Sequence, residues 1–113
     1  MKIDNAKAQM RKGVLELCIL ASIGEERKYA TEIITHLKSA ELIVVEGTLY
    51  PLLARLRNTG LLSYEWEESA SGPPRKYYLI TKEGTAFLNE LTASWNELHK
   101  SVRHLTNPKS KKS

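Results

Sequence analysis

The chain has 113 residues, 42% of them hydrophobic, and carries 17 Lys and Arg against 13 Asp and Glu for a net charge of +4. That length supports one domain with one modest core, which a partner subunit can complete, and the hydrophobic fraction excludes a chain disordered throughout. The charge is compatible with an anionic partner but too mild to identify one. The single cysteine, Cys18, excludes an intramolecular disulfide and lies in an apolar run, as a buried thiol in a reducing compartment would. The start, Met-Lys-Ile-Asp-Asn, has no secretory pattern, and the first apolar stretch, Val14 to Ile23, is too short and interrupted to span a bilayer. A cytoplasmic protein is the expectation.

In chain order, a first helix is expected from about Asn5 to Ser22, with Met10, Val14, Leu17, Cys18 and Ala21 as its apolar face and Gly24 as terminator. Gly24-Glu25-Glu26-Arg27-Lys28 reads as a polar break. A second helix covers roughly Ala30 to Ala40 with Ile33, Ile34 and Leu37 inward. After the short apolar connector Leu42-Ile43-Val44-Val45 comes a third helix, closed at Gly60. Leu62 to Glu67 alternates as a strand should, and Tyr77-Tyr78-Leu79-Ile80 is rich in strand formers, with Ser69 to Pro74 between them as a turn. Thr81 can cap a last helix, with Glu83 in its positive first turn, that runs to about Thr106. Asn107-Pro108 ends it, and a disordered Lys/Ser tail follows.

The third helix has the most informative surface. Leu49, Leu52, Leu53 and Leu56 form one apolar stripe at helical spacing, while Thr48, Tyr50, Ala54 and Arg55 occupy the other side. No carboxylate lies between Thr48 and Asn58. A helix entering a phosphate-lined groove wants such a face, because each Asp or Glu would meet the DNA charge unfavourably. Three helices, then a hairpin, with the third helix groove-compatible, is the winged helix-turn-helix order. The expected fold is therefore mostly α with a small β-hairpin. Residues 1–81 would form the winged helix-turn-helix DNA-binding domain, 82–106 a C-terminal dimerisation helix and 107–113 the basic tail.

Glu46-Gly47-Thr48-Leu49-Tyr50-Pro51, then Arg55-Leu56, Gly60-Leu61, Trp66-Glu67-Glu68-Ser69, Gly72 and Arg75-Lys76-Tyr77-Tyr78 with Thr81 resemble the signature of the PadR-like transcriptional regulators. The resemblance spans about Leu15 to Leu105, and the length of the final helix resembles the compact subgroup. It implies a homodimeric DNA-binding repressor, relieved by a small molecule or stress signal. The matching contact positions would be Thr48, Tyr50, Pro51 and Arg55 on the third helix, with Gly72 and Lys76 in the wing. Two departures from the resemblance stand out: Val45 occupies a position where the family often has a Ser or Asn cap, and Lys28-Tyr29-Ala30 stands where the family usually carries His-Gly-Tyr or Tyr-Gly at the second helix.

Read by chemistry, Tyr50 fits either a DNA contact or an aromatic packed between helix and wing. Arg55 fits either a phosphate or a carboxylate such as Glu32. Arg75 and Lys76 beside a Gly-Pro-Pro tip fit the DNA backbone. Leu88, Leu91, Trp95, Leu98, Val102 and Leu105 are spaced 3-4-3-4-3, a heptad seam suited to pairing two copies, though part of it could pack on the first helix. Trp95 interrupts tight knobs-into-holes packing. In compact drug-responsive members that the Ser94-Trp95 context resembles, paired indoles sandwich a flat ligand, which would make Trp95, Leu91 and Leu98 an effector slot; a plain core tryptophan is the alternative.

His36, His99 and His104 lack metal-ligand spacing, and no Ser/His/Asp arrangement or phosphate-cradling glycine loop occurs. An enzyme, a metal and a cofactor are not expected. The competing function is a winged-helix module for protein–protein assembly, with the third helix buried against its partner instead of DNA.

Overall fold

The structure, a computed structural model, describes residues 2–107, so of the expected tail all but Asn107 lies outside it. The order is α1 (Ile3–Glu25), α2 (Ala30–Ser39), α3 (Glu46–Asn58), β1 (Leu62–Ser69), β2 (Gly72–Ile80) and α4 (Lys82–Thr106). Among the described residues no helix is long and apolar enough to cross a membrane, and no cluster of metal-ligating side chains occurs.

α1 is longer at both ends than its periodicity suggests, and it turns a different flank inward. Its buried residues are Leu15, Ile19, Leu20, Ser22 and Ile23. Of the expected face, Met10 is 71% exposed and Ala21 is exposed, whereas Val14, Leu17 and Cys18 are half-buried. The helix is apolar on two flanks, and contact with α2, β2 and α4 selects between them. Its first three turns bury nothing, since Leu15 is the first buried residue.

In α2 and α3 the apolar period and the burial agree. Ile33 and Leu37 are buried with Ile34 packed beside them, and Leu49, Leu53 and Leu56 fill the centre with Leu52 at its edge. Each such side chain contributes about 1.5–3 kcal/mol by leaving water. Glu32 accepts from the Tyr29 backbone N–H at 3.2 Å, which steadies the start of α2. Val45 gives α3 no side-chain cap, and its carbonyl instead accepts from the Thr48 and Leu49 N–H groups, each at 3.0 Å. Gly60, at φ +83°, ends the α3 segment in the left-handed conformation that glycine adopts cheaply.

The hairpin turns on Ala70-Ser71 alone, and β2 begins at Gly72 rather than Tyr77. Pro73 and Pro74 belong to β2. The register is Trp66↔Lys76 and Glu67↔Arg75, then Ser69↔Gly72, so an irregularity places the extra residue on the proline side. A two-stranded sheet leaves outward N–H groups unneeded, and a bulge absorbs residues that cannot donate, so the prolines are tolerated. Lys28 adds a short antiparallel bridge to Tyr78, through Lys28 N to Tyr78 O at 3.2 Å and the reverse bond at 2.8 Å. Its side chain is buried, and Nζ donates to the Ser22 carbonyl at 2.6 Å, a cation placed at the negative end of α1.

Thr81 Oγ1 caps α4 by accepting from Gly84 N at 2.9 Å. Leu88 packs on the core beside Gly24 and Leu91 is half-buried, while every described residue from Thr92 onward is exposed. Part of the heptad seam therefore packs within the chain. Trp95, Leu98, Val102 and Leu105 do not.

Candidate nucleic-acid interface

Because the leucine stripe of α3 is consumed by the core, the opposite face is turned outward by necessity. Thr48, Tyr50, Pro51, Ala54 and Arg55 are all exposed, and the helix presents no carboxylate after Glu46. Pro51 has no N–H to donate to the Gly47 carbonyl, so that oxygen lacks its usual helical partner near the start of this face.

The wing register then decides which side chains share a surface with α3. Tyr64, Trp66, Lys76 and Tyr78 project from one face of the hairpin, and this face meets α3. Lys76 Nζ lies 4.1 Å from the Tyr64 ring centre, 5.5 Å from that of Tyr78 and 5.8 Å from that of Trp66. An ammonium held over ring faces is pre-positioned, so less entropy is lost when it meets an anion. Arg57 covers the same ring of Tyr64, with Cζ 4.6 Å from the centre. Burial pushes the Tyr78 phenol up from its ordinary value, with Tyr50 adding in the same direction.

These placements bring Tyr50, Trp66, Arg75 and Lys76 around one cleft of about 290 Å3 between the wing and the start of α2, with Tyr50 as the contribution of α3. Other expected site residues stand apart. Thr48 borders a second cleft of about 290 Å3, with Arg11 and Lys12 of α1 as its cations. Gly72 is exposed next to the hairpin turn. Arg55 is engaged by Glu16 of α1, including an Nε to Oε2 hydrogen bond of 3.3 Å; the partner carboxylate is thus Glu16 and not Glu32. Trp66, 63% exposed opposite Lys76, escaped the residue-by-residue reading, although its strict alternation with Tyr64 already placed both on one face. Arg57, over the Tyr64 ring, is a further cation of this surface that helical spacing alone does not single out.

On the other face of the wing, Arg27 forms ion pairs with Glu65 and Glu67. Along α4, Trp95 is 39% exposed and its ring centre lies 5.6 Å from that of His99, while Leu98 is 57% exposed.

Three helices, the third with no acid after Glu46, followed by an antiparallel wing whose cations border that helix, define a winged helix-turn-helix protein. Residues 19–90 match the Transcriptional regulator PadR-like family. Among solved structures, a PadR-like transcription factor from Bacteroides fragilis is 61% identical, with a TM-score of 0.75 over 89% of this chain and 98% of its own. A PadR family transcriptional regulator from Eggerthella lenta is 33% identical, with a TM-score of 0.84 over 93% of this chain and 92% of its own. A PadR-like transcriptional regulator from Bacillus cereus is 41% identical, with a TM-score of 0.79 over 88% and 97%. The chain belongs to the PadR-like family, whose members are DNA-binding transcription regulators and not enzymes.

Proposed function

We propose that the protein is a homodimeric repressor that binds an inverted-repeat operator and is released by a small molecule or stress signal. α3 enters the major groove, with Thr48, Tyr50 and Pro51 at its leading end. Arg75, Lys76 and Gly72 of the wing follow the backbone. Arg55 reaches DNA only by leaving Glu16, so it serves at the margin of the contact. The observation that carries the reading is the continuity of the acid-free α3 face with the cleft that gathers Tyr50, Arg75 and Lys76.

Pairing uses the seam from Leu88 to Leu105, above all Trp95, Leu98, Val102 and Leu105, whose exposure supports a second copy as their cover. Two Trp95 rings near the dimer axis, floored by Leu91 and Leu98, form a slot for a flat aromatic effector. Such a ligand releases DNA only by fitting the DNA-free geometry better, since equal affinity for both states shifts nothing. Trp fluorescence during titration with planar dyes, beside an operator shift assay, tests this; Trp95→Ala that leaves dye binding and release intact sinks it.

The DNA reading is tested by selecting bound fragments from random duplex DNA. A consensus with two-fold symmetry and half-site centres about 10 bp or a small multiple apart is expected. Full-affinity binding of a monomer to an isolated half-site would contradict it.

A further inference from the structure

We infer that Arg27 is a positioning residue for the wing, sequestering the carboxylates of Glu65 and Glu67 so that they neither repel an anionic ligand nor capture the guanidinium of Arg75. The inference rests on the DNA-binding reading above and adds a residue to it.

Glu65 and Glu67 are the awkward residues of a DNA-binding wing. They face the same side of β1, and Glu67 stands directly opposite Arg75 in the strand register, where opposite charges ordinarily pair. The structure pairs them elsewhere. Arg27, from the segment between α1 and α2, takes Glu65 at 2.5 Å through Nη1 and Glu67 through Nη2. The hydrogen bond to Glu67 is the main influence that raises the guanidinium pKa, so the clamp is cationic throughout the physiological range.

Freed of Glu67, Arg75 lies with Cζ 4.7 Å from the Tyr29 ring centre, at the border of the wing cleft. The rest of the arrangement is a ladder of rings and cations. Arg27 Cζ is 4.1 Å from the Tyr77 ring centre, and Tyr77 meets Tyr29 edge to face, with centres 5.3 Å apart at 83°. One side of the Tyr29–Tyr77 pair thus carries the cation that neutralises the wing acids, and the other carries the cation left available. Without Arg27, two uncompensated carboxylates stand on the wing, a strand's thickness from its cationic face, and Glu67 has Arg75 as its cross-strand neighbour. A Debye length of about 8 Å at physiological salt does not screen charges on adjacent strands.

The test measures duplex DNA affinity at two salt concentrations for the full-length protein and three variants: Arg27→Ala, Glu65→Gln/Glu67→Gln, and the triple combination. Arg27→Ala should weaken binding about tenfold at low salt, with a smaller loss at high salt. The triple variant should recover affinity to within about twofold of Glu65→Gln/Glu67→Gln. A loss that persists in the triple variant would overturn the inference, because Arg27 would then touch DNA itself or merely support the fold. An Arg27→Ala protein that binds as wild type does would overturn it as well. Capture of Arg75 is read without DNA from the Arg75 Nε–H resonance. Glu67→Gln should move that resonance in the Arg27→Ala background and leave it in place when Arg27 is present; equal response in both backgrounds would refute sequestration. Failure of the wild-type protein to bind any duplex would instead strike the DNA reading, and this resonance would still decide the role of Arg27.

Discussion

Gly84, one turn into α4, is where a single methyl group should do the most damage. A Cβ placed there would stand 2.1 Å from the Leu61 carbonyl oxygen and 2.7 Å from Ile80 Cγ1. Carbon and oxygen in close contact keep about 3.3 Å, so the overlap exceeds 1 Å on backbone, which cannot rotate away as a side chain would. The Leu61 carbonyl also accepts from Thr81 N at 3.1 Å, so any retreat stretches a bond at the junction of wing and α4. Alanine favours a helix by about 1 kcal/mol over glycine. Against that, forced overpacking costs about 1–3 kcal/mol and the weakened hydrogen bond about 1 kcal/mol more. Gly84→Ala should therefore lose about 2 kcal/mol, or roughly 10 °C of Tm for a domain of this size. Gly13→Ala is the control: it too is helical, its added Cβ would meet nothing within 4 Å, and it should gain up to about 1 kcal/mol. Thermal unfolding followed by circular dichroism, at equal protein concentration because pairing shifts Tm, decides it. A Gly84→Ala protein melting within about 2 °C of wild type would refute the close-approach argument.

Lys76→Ala should weaken binding to every duplex and reduce the salt slope by about one unit, whereas Tyr50→Ala should harm the selected operator more than random DNA. Equal ratios for both would end that division of labour. Val102→Glu should convert the protein to monomers in sedimentation equilibrium without lowering its helix content, since Val102 is 47% exposed within the chain; a persistent dimer would move the interface elsewhere. Burial raises the pKa of the Cys18 thiol, so disulfide-exchange reagents should modify it more slowly in native than in urea-unfolded protein at pH 8. The unfolded thiol ionises first as pH rises, so this group's influence on stability is absent at low pH and turns unfavourable above the unfolded pKa. Equal native and unfolded rates would contradict the burial.

The parts of this fold that were legible in the sequence are those where one local rule had no competitor. The leucine spacing of α3 and the Thr81 cap reappear in the structure because period, burial and capping chemistry agree there. In α1 two apolar flanks both have helical spacing, and only the neighbours that arrive later in the chain choose Leu15 over Met10. The second wing strand extends beyond its strand-forming residues because Pro73 and Pro74, turn residues by composition, are tolerated where a two-stranded sheet leaves their missing donors harmless. The pairing of Arg55 with Glu16 joins residues 39 positions apart, and the clearance at Gly84 depends on a carbonyl from another element. The candidate site follows the same division. Residue types in α3 and the wing were visible, but the cradle of rings under Lys76 exists only once the register sets Trp66 opposite it.

On the function proposed above, the α3 face and the wing cleft form one cationic surface for duplex DNA. The most direct measurement is the affinity of the full-length protein for its selected operator across a range of salt concentration, for wild type and for Arg75→Ala/Lys76→Ala. Wild type should show a steep linear fall of log affinity with log salt, and the double variant a slope smaller by about two units. A wild-type slope that is flat, or one unchanged by removing both wing cations, would show that this surface does not bind the DNA backbone.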